Sequence, residues 1–211
     1  MPVVTSLEPQ KHDRERLNVF VDGVFALGMS ASVALAHGVR TGMEVTVDDL
    51  RSFEIDDEVE RGHAAALNFL SYRPRSTREV RDYLRKRGVS DSQSDEIFAR
   101  LERTGLMDDG QFARFWVENR QAFRPRGRFA LKMELRRKGV ADNVIEEALT
   151  DLGDEDVTAH DVGMKKARSF PLHDERAFVQ RLVGFLQRRG FPYDVASSTA
   201  RSIYREMTEE T

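Results

Sequence analysis

The chain has 211 residues, of which 40% are hydrophobic and 33% are charged, so it can bury a core beneath a strongly charged surface. It contains no cysteine, which excludes disulfides and thiolate metal sites, and no apolar run approaches the roughly 18 residues that suggest a membrane helix. The net charge of −3 is uneven: residues 1–63 carry −6, residues 64–150 carry +5 and residues 151–211 carry −2.

The basic middle of the chain has two interpretations. It predicts either a positively charged working surface or a solvated helical surface of mixed charges. Residues 1–16 lack the apolar core with a basic flank that a signal peptide needs. Together with the absence of cysteine, this predicts a cytoplasmic protein.

The first predicted element is a β-hairpin. Two apolar runs, over 17–21 and 24–27, flank Asp22 and Gly23. A two-residue Asp-Gly turn between such runs is a strong hairpin signal, because both residues tolerate the positive φ angles that a tight turn requires. We therefore expect two antiparallel strands near the N-terminus.

A short helix and a third strand are expected after the hairpin. Ser30 is a suitable N-cap for a helix over 31–37. Residues 44–47 suggest a third short strand, and Asp48 or Asp49 is the expected N-cap of the following helix. No further strand is predicted from there to the C-terminus.

The remainder of the chain repeats itself at an interval of 51 residues. The pattern Leu-x-x-x-Gly ends at Gly88, Gly139 and Gly190, and an aromatic residue precedes Arg-Pro-Arg at both 72–75 and 123–126. A fixed period is typical of tandem modules, and 51 residues have room for three ordinary helices. The predicted repeats cover 63–110, 111–157 and 158–211, after an N-terminal extension over 1–62.

Local signals place the three helices of the first repeat. Helix one is expected over 64–71. Ser76 and Glu79 form a capping-box pair that starts helix two, and Gly88 ends it as a left-handed C-cap. Apolar residues from Ile97 onward mark helix three. The predicted fold is therefore mainly α-helical, with a small N-terminal extension that contains a β-hairpin.

These patterns, in this order, resemble the RecX family over residues 64 to about 200. The hairpin-bearing extension resembles that of the longer family members. The resemblance is carried by Ser76-x-x-Glu79 with Leu84-x-x-x-Gly88, by Gly105-Leu-Met-Asp108-Asp109-x-x-Phe112-Ala113, and by Arg126-Gly127 with Glu134-Leu135-x-x-Lys138-Gly139-Val140.

The resemblance implies that the three tandem repeats form an elongated, curved body. It also implies that the protein binds in the groove of the RecA filament on single-stranded DNA. The implied consequences are less filament growth and less RecA ATPase, strand-exchange and co-protease activity. The chain is thus expected to be a monomeric regulator of DNA repair, homologous recombination and the SOS response, with at most weak DNA contact of its own and no enzymatic activity.

The candidate partner-binding residues are basic, and most of them recur at the 51-residue offset in the first two repeats. They are Arg73, Arg75, Arg78, Arg81, Arg85, Arg124, Arg126, Lys132 and Arg136. Two parallel basic stripes would suit an acidic protein groove, DNA phosphates, or both. The alternative is a solvated helix face whose cations suit the helix dipole. Since the third repeat has Glu175, Arg176 and Ala177 in place of Arg-Pro-Arg, the band is expected to weaken there.

Most aromatic residues are expected to belong to the core. Those at apolar helical positions are Tyr83, Phe112, Phe115, Trp116 and Phe185. Tyr72 and Phe123 precede the Arg-Pro-Arg loops, where they could pack at a helix end or stack on nucleic-acid bases. Packing at the helix end is the favoured interpretation.

No catalytic, metal-binding or cofactor-binding constellation is evident in the sequence. The five histidines are scattered, and no glycine-rich phosphate loop occurs. Asp108 or Asp109 is interpreted as a helix cap rather than as a metal ligand or catalytic acid. Two alternatives to a RecA regulator stay open: a helical-repeat module that binds nucleic acid, and a scaffold for another partner.

Overall fold

The computed structural model describes residues 1–209, so the last two positions of the predicted third repeat lie outside the described residues. Three strands are followed by ten helices within this range. The strands are β1 (Val4–Pro9), β2 (Arg16–Val21) and β3 (Val24–Ser30). The helices are α1 (Ala31–Ala36), α2 (Val47–Ser71), α3 (Thr77–Arg85), α4 (Asp91–Arg103), α5 (Asp109–Phe123), α6 (Arg128–Arg137), α7 (Asp142–Ala148), α8 (Glu155–Ala167), α9 (Glu175–Arg188) and α10 (Tyr193–Glu209).

The predicted hairpin is confirmed as β2 and β3, which pair antiparallel. Asp22 and Gly23 connect the strands with φ angles of 49° and 80°. Positive φ at both central residues gives the turn a twist that matches the flanking strands, and a glycine is the residue that adopts it at least cost.

The third strand of the sheet is not the one predicted over 44–47. It is β1, which pairs antiparallel with β2 in a sheet of order β1-β2-β3. Glu44 forms only an isolated bridge with Val3, and the amide of Val45 donates to the carbonyl of Pro2 at 2.9 Å. The segment near 44–47 therefore lies beside the start of β1 without extending the sheet.

Helix α1 begins as predicted, because the Ser30 hydroxyl accepts a hydrogen bond from the amide of Val33. The predicted N-cap of α2 is wrong. Thr46 is the cap, and its hydroxyl accepts from the amide of Asp49 at 3.1 Å. The Asp49 carboxylate in turn accepts from the amide of Thr46 at 2.8 Å, so Asp49 is the second member of a capping box.

Helix α2 is continuous over 25 residues and includes the predicted helix one, 64–71, as its C-terminal end. Phe53 packs into the core of the N-terminal sheet, whereas Val59 and Ala66 pack into the core with α3 and α4. Asp57, which is 2% exposed, accepts from Arg16 at 2.8 Å and from the amide of Ser30 at 2.8 Å. This buried carboxylate ties β2 and β3 to the middle of α2.

Three three-helix repeats follow the sheet, as predicted, so the mainly helical fold class is confirmed. The first combines the end of α2 with α3 and α4, the second α5 to α7, and the third α8 to α10. Gly88, Gly139 and Gly190 follow the second helix of each repeat with φ angles of 82° to 89°. They are the left-handed C-caps that the sequence predicts.

The chain divides into two compact units. One comprises 1–73 with 80–107, and the other comprises 74–79 with the residues from 108 onward. The first unit holds the sheet, α1, α2, α4 and most of α3, and the second holds α5 to α10. The predicted domain boundaries at 62/63, 110/111 and 157/158 stay predictions.

One contact recurs within the second unit at the 51-residue offset. The hydroxyl of Ser76 donates to the carbonyl of Lys138 at 2.7 Å, and the amide of Gly127 donates to the carbonyl of Arg189 at 3.0 Å. Both carbonyls belong to the residue before a C-capping glycine. The start of one second helix thus meets the end of the next at equivalent positions, which explains part of the repeated sequence structurally.

Candidate partner-binding surface

The basic residues predicted on the second helices have acidic partners within their own repeats. Arg81 on α3 pairs with Asp95 on α4 at 3.0 Å, and Lys132 on α6 pairs with Glu146 on α7. Both the cations and the carboxylates are separated by 51 residues. We call these two pairs the interhelical struts. The repeated basic residue therefore has a structural role inside each of these repeats, as the partner of a carboxylate on the next helix.

Two further members of the predicted band also have partners. Arg136 binds Asp142 with two hydrogen bonds of 2.7 and 2.9 Å, and Arg85 pairs with Asp82 at 3.3 Å. The hydrogen bond from Arg136 lowers the pKa of Asp142, and the bond to Asp142 raises the pKa of Arg136. Arg136 and Asp142 are both exposed, so their charges still reach solvent.

The two Arg-Pro-Arg loops hold their arginines in different environments. Arg126 pairs with Glu134 at 3.0 Å and is partly buried, whereas Arg124 is exposed and forms no ion pair within the described part of the chain. Arg73 and Arg75 are also partly buried. Arg78, at the start of α3, is exposed. Of the four arginines in these two loops, Arg124 is therefore the one whose charge is most open to solvent.

Glu134 organises the surface of the second repeat. Its carboxylate accepts hydrogen bonds from Trp116 Nε1 at 2.8 Å and from Arg120 at 2.7 Å, in addition to its pair with Arg126. The Arg120 guanidinium lies 4.4 Å from the centroid of the Trp116 ring, and Lys138 lies 5.0 Å from it. Trp116 thus combines packing on the core with fixed polar contacts at its edge.

The aromatic residues divide into core and exposed groups. Phe112 is 1% exposed, and Tyr83, Trp116 and Phe185 pack partly buried against the cores of their repeats; Phe115 is also partly buried. The prediction that Tyr72 and Phe123 pack at helix ends is wrong, because they are 77% and 78% exposed. Each follows or ends a helix whose core-facing side is filled by other residues. These rings are therefore available to a partner.

The second unit carries two large surface grooves among the described residues. One, of about 730 Å³, lies beside Phe123, Pro125 and Phe185, with Lys165, Lys166 and Arg189 around it. The other, of about 1160 Å³, lies between α9 and α10 in the third repeat. The sequence analysis predicted neither groove. A signal for the second one is present in the sequence, because the charged residues Lys132 and Glu146 of the second repeat are replaced by Val183 and Ser197, which line this groove.

The structure offers no sign of a metal centre or a membrane segment in the residues it describes. No group of three or more histidine, aspartate or glutamate side chains is placed to hold a metal ion within 1–209. In the same range, no helix has both the length and the apolar character needed to cross a bilayer. Asp108 is the N-cap of α5, where its carboxylate accepts from the amides of Gly110 and Gln111.

The chain matches the RecX family along most of its length. Residues 2–46 match the regulatory protein RecX N-terminal domain, and 63–101, 108–149 and 154–199 match the first, second and third three-helix domains of RecX. A regulatory protein RecX from Bacillus subtilis is 35% identical over 218 residues, which cover 100% of this chain and 81% of the relative. One from Streptomyces lividans is 37% identical over 74% of this chain and 84% of the relative.

Two solved structures have a similar fold. The crystal structure of a regulatory protein RecX superposes with a TM-score of 0.78 and 23% identity, covering 92% of this chain and 97% of the other. That of RecX from Lactobacillus salivarius superposes with a TM-score of 0.64 and 27% identity, covering 70% of this chain and 97% of the other.

Proposed function

Because the chain belongs to the RecX family, we propose that it is a regulator that binds the RecA recombinase and its filament on single-stranded DNA. In this proposal, binding reduces filament growth, RecA ATPase, strand exchange and co-protease activity. The protein would thereby limit homologous recombination and the SOS response. It would act as a monomer in the cytoplasm, where its partner lies, and would have no enzymatic activity of its own.

The family match over the N-terminal domain and all three helical domains is the observation that carries this proposal. The relatives that cover the whole chain are themselves named regulatory proteins. A series of three-helix repeats also suits the task, because repeat proteins present broad surfaces to macromolecular partners rather than enclosed catalytic pockets.

The proposed contact residues remain the nine basic side chains predicted from the sequence. Exposed Arg124 is the strongest of them, since its charge is open to solvent and it forms no ion pair within the described residues. Arg85 and Arg136 are exposed ion-pair members that can meet further carboxylates. Arg126 is the weakest, because Glu134 already neutralises it. Complementary charge would act mainly on the rate and register of association.

Addition of this protein is expected to slow ATP hydrolysis by RecA on single-stranded DNA. The expectation follows from the proposed binding to the filament, and the protein alone should hydrolyse no ATP. Steady-state ATPase is measured with RecA, DNA and increasing amounts of this protein up to a large excess. A titration with heat-denatured protein is the control. Unchanged RecA turnover at a large excess would overturn the proposed function.

Reversal of Arg81, Arg85, Lys132 and Arg136 to glutamate is expected to weaken filament binding by about tenfold or more, since it inverts the charge offered to the partner. Arg85 and Arg136 are exposed and Arg81 and Lys132 are partly buried, and a surface ion pair contributes about 0–1 kcal/mol to stability, so the melting temperature should fall while helix content is kept. Binding by the parent protein should also weaken as salt rises, because exposed charges are screened beyond about 8 Å at physiological ionic strength. Co-sedimentation with filaments at two salt concentrations measures both effects.

A matched variant distinguishes the effect of the predicted basic residues on binding from the effect of the protein's net charge. It carries the same four-fold reversal to glutamate at exposed arginines outside the predicted set: Arg103, Arg168, Arg181 and Arg205. Circular dichroism confirms folding of both variants. If the control loses binding as the band variant does, overall charge rather than the band is responsible. If the folded band variant binds like the parent, Arg81, Arg85, Lys132 and Arg136 are not contact residues, and their part of the proposed interface is overturned.

A further inference from the structure

The third repeat carries an open cleft between α9 and α10, with a volume of about 1160 Å³. Helix α9 lines it with Val179, Val183 and Gly184, and α10 lines it with Ser197 and Arg201. Because both helices pack on the same buried core, the cleft lies on the outer side of a fixed helix pair. A surface of this size can hold several residues of an extended chain.

The cleft lies where the other two repeats have their interhelical struts. At the 51-residue offset, Lys132 of the second repeat corresponds to Val183 of the third, and Glu146 corresponds to Ser197. Val183 and Ser197 both line the cleft. The third repeat has therefore replaced an ion pair that spans the two helices with an apolar and a small polar side chain.

The second ion pair is replaced in the same way. Arg136 corresponds to Gln187, and Asp142 corresponds to Tyr193. Gln187 and Tyr193 also line the cleft, and Tyr193 is 65% exposed. Two independent replacements of charge pairs by uncharged side chains leave a surface that can make hydrogen bonds and apolar contacts. Exposure of a large aromatic side chain such as Tyr193 is explained if a partner covers the ring, because aromatic residues contribute strongly to binding when a partner buries them.

The charges around the cleft indicate what it would bind. Arg176 and Arg201 are exposed, line the cleft and form no ion pair within residues 1–209. Asp174 is already engaged as the N-cap of α9, where its carboxylate accepts from the amide of Ala177 at 3.0 Å. The two guanidiniums are thus ready donors for carboxylates.

We propose that this cleft binds an acidic peptide segment of a protein partner, with carboxylates on Arg176 and Arg201 and an apolar side chain on Val179 and Gly184. Ser197 and Gln187 would hydrogen-bond to the peptide backbone. The carboxylates of Asp174 and Glu175 at the same cleft favour a peptide with separated acidic groups over the continuous charge of a nucleic acid. The identification of that partner as RecA rests on the function proposed above.

A probe peptide tests the cleft without RecA. The blocked pentapeptide Glu-Ala-Leu-Ala-Glu, whose two carboxylates are separated, is titrated into the full chain, and the amide NMR signals of Gly184 and Ser197 are followed. The expected result is a saturable shift of these signals that is weaker with Gln-Ala-Leu-Ala-Gln. The double substitution Arg176→Glu and Arg201→Glu should weaken binding by about tenfold or more, because two charge-assisted hydrogen bonds are lost.

Rebuilding the second missing ion pair gives a variant in which only exposed side chains change. The changes Gln187→Arg and Tyr193→Asp copy the Arg136–Asp142 pair into the third repeat and should place a salt bridge at the cleft. This variant is expected to lose peptide binding by about tenfold or more while circular dichroism stays that of the parent. The matched control, Ser198→Arg with Val157→Asp, adds the same two charges at exposed positions of α10 and α8 outside the cleft lining and should bind like the parent.

The outcomes separate this proposal from the proposed function. Absence of a saturable shift at Gly184 and Ser197 with millimolar peptide overturns the cleft proposal, as does unchanged binding by the folded Gln187→Arg, Tyr193→Asp variant. An equal or stronger shift with oligothymidylate identifies a nucleic-acid site and overturns it too. If the parent slows RecA but does not bind the peptide, the regulator proposal stands without the cleft. If the peptide binds but RecA is unaffected, the cleft serves another protein.

Discussion

Trp116→Ala is expected to lower the free energy of unfolding by about 3 kcal/mol, near the lower end of the range for loss of a large aromatic side chain. The ring is only partly buried, but it packs on the core of the second repeat and lies 5.8 Å from the ring of Phe112. Its Nε1 donates to Glu134, and two cations stack on its faces. Urea unfolding followed by circular dichroism measures the loss.

The conservative control is Trp116→Phe. It keeps an apolar ring for packing and for the cations of Arg120 and Lys138, but it removes the N–H group. Since Glu134 keeps its two arginine partners, this variant should lose only about 1 kcal/mol. If Trp116→Ala unfolds at the same urea concentration as the parent, the side chain contributes nothing to folding and becomes a candidate contact for the partner.

Gly190→Ala is expected to lower the free energy of unfolding by about 3 kcal/mol, with about 1 from left-handed backbone strain and about 2 from overpacking. The φ angle of Gly190 is 89°. A Cβ atom there would lie 2.3 Å from the Cβ of Ala130 and 2.6 Å from its amide nitrogen. Because this contact involves the first turn of α6, backbone must move for the methyl group to fit.

Gly88→Ala isolates the strain from the clash. Gly88 is equivalent to Gly190 in the first repeat and has a φ angle of 82°, but a Cβ atom there would meet nothing within 4 Å. The substitution should therefore cost only about 1 kcal/mol. Thermal and urea unfolding of both variants are compared with the parent. Equal losses for the two alanines would contradict the close approach between Gly190 and α6.

The 51-residue repeat has more than one physical origin. Gly88 and Gly190 recur because a helix C-cap needs a left-handed residue. Arg81 and Lys132 recur together with their carboxylate partners, so their charges already have a role inside each repeat. Repetition of a basic residue is therefore weak evidence for a shared partner, and the departures from repetition in the third repeat are more informative about binding.

The sequence by itself determined the features that depend on neighbouring residues. The Asp22-Gly23 turn specifies the hairpin because only a few residues tolerate positive φ at both positions. Ser30 and Asp108 specify helix starts because a cap satisfies amide groups two or three residues away. The regular spacing of such local signals was enough to predict the three helical repeats and, through their order, the family.

The tertiary structure decided what depends on residues far apart in the chain. Strand β1 occupies the edge of β2 that β3 leaves free, which is a pairing between segments distant in the chain. No local sequence pattern shows that β1, rather than residues 44–47, is the third strand of the sheet. Whether Arg81 faces a partner or Asp95 depends on how α3 packs on α4, and the exposure of Phe123 depends on which side of α5 meets the core. Periodicity places a side chain on a helix, but its neighbours across the interface fix its charge balance and exposure.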